Sequence, residues 1–140
     1  MACPFFVPLE IVNDGSWPHP SRLPLGGAWA GNCCASGREL AAPEPHLREF
    51  CNLGYAAACP HLPVTRDWDA VRFSIANANG EQIALWYVCE LGHAPVEHGK
   101  LTFTLASEAW RDVHPDRRVH RLADAYLRAH RAGRCAVVTA

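Results

Sequence analysis

The sequence is poor in several features that mark common classes of protein. Charged residues make up only 19% of its 140 residues, the formal net charge is −1, and Lys100 is the only lysine. This charge balance gives no general attraction to nucleic acid or to an acidic membrane surface. No stretch approaches the roughly 20 consecutive apolar residues of a membrane span. The first ten residues have no basic segment followed by a long apolar run, so we expect no export signal.

Motifs of several enzyme classes are also missing. The sequence has no G-x-S-x-G nucleophile elbow, no phosphate-binding G-x-x-x-x-G-K-S/T loop and no H-E-x-x-H zinc helix. No two cysteines have the C-x₂₋₄-C spacing of a zinc knuckle. We therefore favour a carrier or accessory protein over an enzyme, and we predict no catalytic residue.

What the sequence does contain is cysteine, at seven positions. An odd number cannot form a complete internal disulfide framework. Because we expect no export signal, we also expect a reducing cytoplasm, where clustered cysteines indicate metal or redox chemistry. Three of them, Cys3, Cys51 and Cys59, are predicted ligands. Cys3 and Cys59 each precede proline, as ligands do in bacterial ferredoxin-type cluster motifs, and proline turns the chain away after the ligand.

The fourth predicted ligand is Cys33, because Gly31 and Asn32 leave room for backbone amides to approach its sulfur. Cys34 and His61 are the alternates. His61 is also a candidate for hydrogen bonding to the bound centre, because it lies two residues after a predicted ligand.

The spacing of Cys51 and Cys59 predicts a break in the helix that would carry them. Eight residues of unbroken helix rise about 12 Å, whereas two thiolates on one zinc ion lie about 4 Å apart. We predict that the helix breaks at Gly54 and Tyr55.

The four predicted ligands favour a [4Fe–4S] cluster. Ligation by thiolates alone selects zinc or iron–sulfur, and the wide spacing suits a centre held from four directions. The sequence thus predicts a small iron–sulfur protein in electron transfer or redox sensing, with a protein redox partner. Four aromatic residues are expected to shield the cluster from water. They are Phe5, Phe6, Trp29 and Tyr55.

Two alternatives remain. In the first, Zn²⁺ replaces the cluster and the protein is a structural zinc-binding interaction module. In the second, the domain is metal-free and its cysteines are small hydrophobic core residues. We predict that core role for Cys89, which alternates with apolar residues, and for Cys135 near the end of the sequence.

The cysteine motifs also carry a resemblance. The combination C-P-F-F at residues 3–6, Cys33, C-N-L-G-Y-A at 51–56 and C-P at 59–60 resembles a group of small, uncharacterised bacterial cysteine-containing proteins. The likeness covers most of the chain. It implies that the four cysteines act as a unit, and it brings no established activity with it.

The predicted fold class is α+β: a small antiparallel β-meander with a C-terminal helix and a proline-rich, cysteine-bearing N-terminal arm. We expect a single domain, with the cofactor-binding arm at residues 1–65 and the meander plus helix at 66–140. Seven of the eleven prolines lie in residues 1–45, which predicts an irregular arm.

Hydrophobic periodicity predicts the remaining elements. A short helix is expected from Pro45, with Leu47, Phe50 and Cys51 on one face. Val71, Phe73 and Ile75 are expected to point inward. The other expected elements are strands at 70–76, 82–90 and 101–105, a turn at 77–80, a loop at 92–99, and a helix at 116–131 that ends at Gly133.

Two other sets of residues are weaker candidates for function. His93 and His98 lie near Glu90 and Glu97, but no metal-binding motif spaces them, so we expect solvent-facing or hydrogen-bonded side chains. The predicted C-terminal helix is rich in arginine, for which we expect a solvated polar face and no nucleic-acid binding. These arginines are Arg117, Arg118, Arg121, Arg128, Arg131 and Arg134.

Overall fold

The computed structural model describes residues 1–53 and 59–139, and the side chains of these residues up to position 132. Two antiparallel sheets and a long C-terminal helix make up the α+β fold that the sequence predicts. The strands are β1 (Phe6–Ile11), β2 (Trp29–Cys33), β3 (Leu40–Ala41), β4 (Ala70–Ala78), β5 (Gln82–Leu91), β6 (Ala94–Thr104) and β7 (Ala109–Trp110). The helices are α1 (Glu44–His46), the π-helical turn Leu47–Cys51 that continues it, a 3₁₀ turn at Pro20–Arg22, and α2 (Arg117–Thr139).

The N-terminal arm contains regular structure, so the prediction of an irregular arm was wrong. Strands β1, β2 and β3 form a three-stranded antiparallel sheet in that order. Glycine at position 31 allows β1 and β2 to approach closely, because a Cβ there would lie 2.0 Å from the carbonyl oxygen of Val7. Prolines do not prevent this sheet, since six of the seven in residues 1–45 lie outside its strands and Pro8 lies next to an irregularity in the β1–β2 register.

The second sheet has four strands in the order β4-β5-β6-β7. The predicted alternation in β4 is confirmed, with Val71 and Phe73 buried and Arg72 exposed. The predicted loop at residues 92–99 was wrong, because β6 starts at Ala94. Gly92 and His93 have φ values of 60° and 66°, so they form the two-residue turn of a tight hairpin and leave residues 94–99 free to pair with β5.

Helix α2 packs against β1 and β4. Its predicted apolar face is confirmed, and Val119, Leu122 and Leu127 are buried in the core. The helix continues past Gly133 to Thr139, so the predicted stop was wrong. One glycine inside a helix costs only about 1 kcal/mol relative to alanine, which is too little to end a long helix.

Hydrogen bonds between backbones join the arm to the meander. Ala2 pairs with Val71 at the start of β4, with N···O distances of 2.6 and 2.8 Å. Farther along, the guanidinium of Arg118 on α2 lies 5.0 Å from the ring centres of both Phe5 and Trp68. The cysteine-bearing segment is therefore held against both the sheet and the helix. Within residues 1–53 and 59–139, no helix has the length and apolar character needed to cross a membrane.

Candidate metal centre

The four predicted cysteine ligands come together in the structure. The side chains of Cys3, Cys33, Cys51 and Cys59 all line one cavity within the N-terminal arm. They come from four separate positions in the chain, as their spacing requires. The remaining walls are mainly apolar and are formed by Phe5, Phe6, Ala35, Phe50, His61 and Leu62.

Cys3 is held by the strand-like bridge at Ala2 and by a turn that begins at Cys3 itself. The N–H of Phe6 donates to the carbonyl oxygen of Cys3 at 3.2 Å, and Pro4 occupies the second position of this turn, where its fixed φ is favourable. The N–H of Phe5 is directed to the sulfur of Cys3. The turn therefore points both the thiol and a backbone donor into the site.

Cys59 begins a second turn of the same kind. The N–H of Leu62 donates to the carbonyl oxygen of Cys59 at 3.3 Å, and Pro60 again follows the cysteine. The two Cys-Pro steps noted in the sequence thus have the same local structure. In both, proline lacks an N–H and its ring directs the chain away from the thiol.

Cys33 lies at the end of β2, where it pairs with Phe6 on one side and Leu40 on the other. The N–H of Ala35 donates to its Sγ at 3.5 Å. The neighbouring Cys34 does not line the cavity. Its N–H donates to the carbonyl oxygen of Phe5 at 2.9 Å. The strand geometry therefore places Cys33, and not the alternate Cys34, with the other three thiols.

Cys51 ends the π-helical turn, and the buried side chain of Asn52 fixes that turn to β2. Asn52 Oδ1 accepts a hydrogen bond from the N–H of Trp29 at 2.9 Å. Its Nδ2 donates to the carbonyl oxygens of Trp29 at 2.9 Å and Leu47 at 3.1 Å. Strand β3 pairs with β2 only at Asn32 and Cys33. At Trp29, which β3 does not reach, the side-chain amide of Asn52 therefore bonds the backbone N–H and C=O as a neighbouring strand would. We call these three hydrogen bonds the Asn52 clip.

The helix bearing Cys51 ends before the predicted break. Asn52 and Leu53 already form a turn, while Gly54 and Tyr55 lie outside the described residues. The early end has a local cause, because the N–H of Asn52 closes the π-helical turn by donating to the carbonyl oxygen of Leu47 at 3.2 Å. Such π-turns are often found at functional sites.

Burial makes two of the four thiols difficult to ionise when no cation is nearby. Burial raises the pKa of Cys3 to about 12, against a smaller opposing effect of the Phe5 N–H. Burial, followed by the neighbouring Cys33 and Cys59, raises the pKa of Cys51 to about 12. A metal centre would supply the positive charge that stabilises the thiolates, and its binding would release their protons.

Two spaces of different size meet at the cysteines. The cavity bordered by all four thiols is narrow, with a volume of about 20 Å³. Next to it is a groove of about 280 Å³, bordered by Cys33, Cys51 and Cys59. Among the described side chains, no group of three or more has the spacing of ligands around a single metal ion.

The alternate ligand His61 lies beside the thiols. It borders both the narrow cavity and the groove, and its ring lies 4.6 Å from that of His46 in an edge-to-face arrangement.

Of the predicted shielding residues, Phe5 and Phe6 line the cavity. Trp29 does not line it and instead lies beneath the guanidinium of Arg128, at 5.2 Å. Tyr55 lies outside the described residues.

The other cysteines lie away from the cavity or outside the described side chains. Cys89 is fully buried in the core, as predicted, and burial raises its pKa to about 12. The side chain of Cys135 lies outside the described part. The six cysteines with described side chains are all free thiols.

The histidine set is not assembled into a site. Glu90 pairs with Arg72 at 2.7 Å, and Glu97 accepts a hydrogen bond from Tyr87 and contacts His114. The two carboxylates that the sequence placed near His93 and His98 thus have other partners. This arrangement favours structural roles for these carboxylates.

Several arginines of α2 form ion pairs with carboxylates outside the helix, so the predicted solvated polar face is partly occupied by these pairs. Arg118 pairs with Asp116 at 2.8 Å, and Arg121 pairs with Glu39 of the arm at 3.0 Å. Arg131 pairs with Glu108 at 3.2 Å. These pairs tie the helix to its surroundings. The side chain of Arg134 lies outside the described residues.

Sequence reasoning did not assign Asn52, His46 or Phe50 to the site. The rings of His46 and Phe50 lie 5.8 Å apart, and their i,i+4 spacing could have placed them on one face of a helix. Asn52 gave no such signal, because its partners lie 23 residues away on β2.

Neither a family model, nor a curated protein, nor a solved structure matches this chain.

Proposed function

We propose that this protein binds one [4Fe–4S] cluster through Cys3, Cys33, Cys51 and Cys59. The observation that carries the proposal is that these four thiols border one cavity, although they come from four separate segments. Thiolates are the usual ligands of such clusters. In such a cluster each thiolate would bind a different iron atom, which suits ligands that come from four separate segments of the chain.

The surroundings of the thiols support a redox role. A bound cluster supplies one-electron transfer, and its potential depends on hydrogen bonds to sulfur and on solvent exposure. The N–H groups of Phe5 and Ala35 are directed to Cys3 and Cys33 respectively. Apolar walls limit the access of water to the thiols. We therefore propose electron transfer or redox sensing with a protein partner, in a reducing cytoplasm where the thiols stay reduced.

A structural Zn²⁺ site is the second candidate. It is favoured by the narrowness of the four-thiol cavity, which admits little more than one water-sized sphere. Zinc would place the thiolates about 4 Å from one another around one ion, whereas a cluster would place each thiolate on a different iron atom.

Two neighbouring residues provide a matched test. In protein purified without oxygen, Cys33→Ala should abolish or strongly reduce bound iron and the visible absorption of the cluster. Cys34→Ala should leave both at the wild-type level, because Cys34 does not border the cavity. Equal effects of the two substitutions would contradict the proposed ligand set. A colourless protein with one zinc ion per chain would select the second candidate.

A further inference from the structure

The groove beside the four thiols has the features of a small-molecule site. Its volume of about 280 Å³ is close to the lower end of the range for ligand pockets in proteins. It is bordered by Cys33, Cys51 and Cys59, whereas Cys3 borders only the narrow cavity. A centre that only passes electrons to a protein needs to be near the surface. It does not need a groove of this size leading to its ligands.

The chemistry of the groove selects the kind of molecule that it can hold. None of its described lining residues is aspartate, glutamate, lysine or arginine. Part of its lining is apolar, and the lining also includes the rings of His46 and His61, which meet edge to face at 4.6 Å. The hydroxyl of Ser36 already donates to the carbonyl oxygen of Arg38. The apolar part consists of Ala35, Leu40, Ala41, Ala42 and Pro43.

Charge excludes one class of ligand. Four thiolates around a cluster give the site a net negative charge, and the described lining of the groove includes no lysine or arginine to balance an additional anion. Flat apolar rings suit the groove, because imidazole edges pack well against aromatic faces. The available volume limits the ligand to about one or two rings.

We propose that the groove binds an uncharged one- or two-ring aromatic molecule and places it against the metal centre. The charge argument rests on the proposed function, whereas the size and apolar lining of the groove do not. With such a ligand, the centre would respond to a small molecule as well as to a redox partner.

Indole is a suitable probe, because it is an uncharged two-ring molecule. Indole-3-carboxylate is its matched anion. Titration calorimetry on the full-length protein, as purified without oxygen, should give an indole dissociation constant between about 0.1 and 1 mM, a range within reach of a ligand of about nine non-hydrogen atoms. Indole-3-carboxylate should bind at least tenfold more weakly. In cluster-loaded protein, indole should also change the electron paramagnetic resonance spectrum of the reduced centre.

Two substitutions locate the binding. Ala42→Trp fills the groove and should weaken indole binding at least tenfold, whereas Ala78→Trp at the exposed end of β4 should leave it unchanged. His46→Ala removes part of the lining of the groove without adding bulk, and should weaken binding about threefold even if the tryptophan variant does not fold.

The proposal is overturned if neither indole nor smaller uncharged rings bind up to their solubility. It is also overturned if binding is unaffected by Ala42→Trp in folded protein, or if indole-3-carboxylate binds cluster-loaded protein as well as indole does. Metal analysis of the same samples reports on the proposed function separately. Loss of metal without loss of indole binding would refute the cluster and leave the groove in place.

Discussion

The Asn52 clip should be one of the strongest single contributions to the site. Asn52→Ala removes the acceptor of the Trp29 N–H and the donor to the Trp29 carbonyl oxygen. Trp29 is 1% exposed and Asn52 is 4% exposed, so water cannot readily replace the lost amide. The Leu47 carbonyl oxygen loses less, because it still accepts from the backbone N–H of Asn52.

The expected size of the effect follows from the two groups left without partners. A buried polar group that loses its partner costs about 1–3 kcal/mol, so the two groups of Trp29 together should lower the free energy of unfolding by about 4 kcal/mol. Small domains are stable by about 5–15 kcal/mol, which makes this a large fraction of the total. Denaturant unfolding of Asn52→Ala measures it, and Asn13→Ala at an exposed position is the control. A loss below 1 kcal/mol would refute the reasoning.

Two further predictions concern stability. Gly31→Ala should destabilise the protein by about 3 kcal/mol, because the new Cβ would lie 2.0 Å from the Val7 carbonyl oxygen. Gly80→Ala is the control and should have little effect, because no atom lies within 4 Å of the added Cβ. Equal unfolding midpoints for the two variants would contradict this prediction. Burial raises the pKa of Cys89 from 9.0 to about 12, so the folded protein holds this proton more tightly than the unfolded chain. The contribution of this proton to the free energy of unfolding is fully present below pH 9, and it decreases by about 1.4 kcal/mol per pH unit as the pH rises towards 12. Relative to Cys89→Val, the wild-type protein should therefore lose stability over this range, and parallel pH profiles of the two proteins would show that the reasoning is wrong.

Local patterns in the sequence were sufficient to predict the meander and the buried face of α2. The alternation around Val71 and the 3–4 spacing that includes Val119 report directly on which side of each element is buried. The start of β6 was harder to predict. A turn with positive φ at both central positions is usually marked by Asn-Gly or Asp-Gly, and here it is made by Gly92 and His93.

The candidate site was predictable where the reason lies within a few residues. The Cys-Pro turns at Cys3 and Cys59 are examples, because proline determines the local conformation on its own. The arm sheet and the Asn52 clip depend on pairing between distant segments, and no short pattern in the sequence reports such pairing. Cys33 and Cys34 could be ranked only weakly, since their different orientations follow from the register of β2 between its two neighbours.

Metal and sulfide analysis of the protein, purified and reconstituted without oxygen, tests the central claim most directly. A [4Fe–4S] cluster held by Cys3, Cys33, Cys51 and Cys59 requires about four iron and about four acid-labile sulfide per chain, and both should be lost in Cys51→Ala. One zinc ion per chain without iron would contradict the cluster. The absence of any bound metal after reconstitution would contradict the metal centre itself.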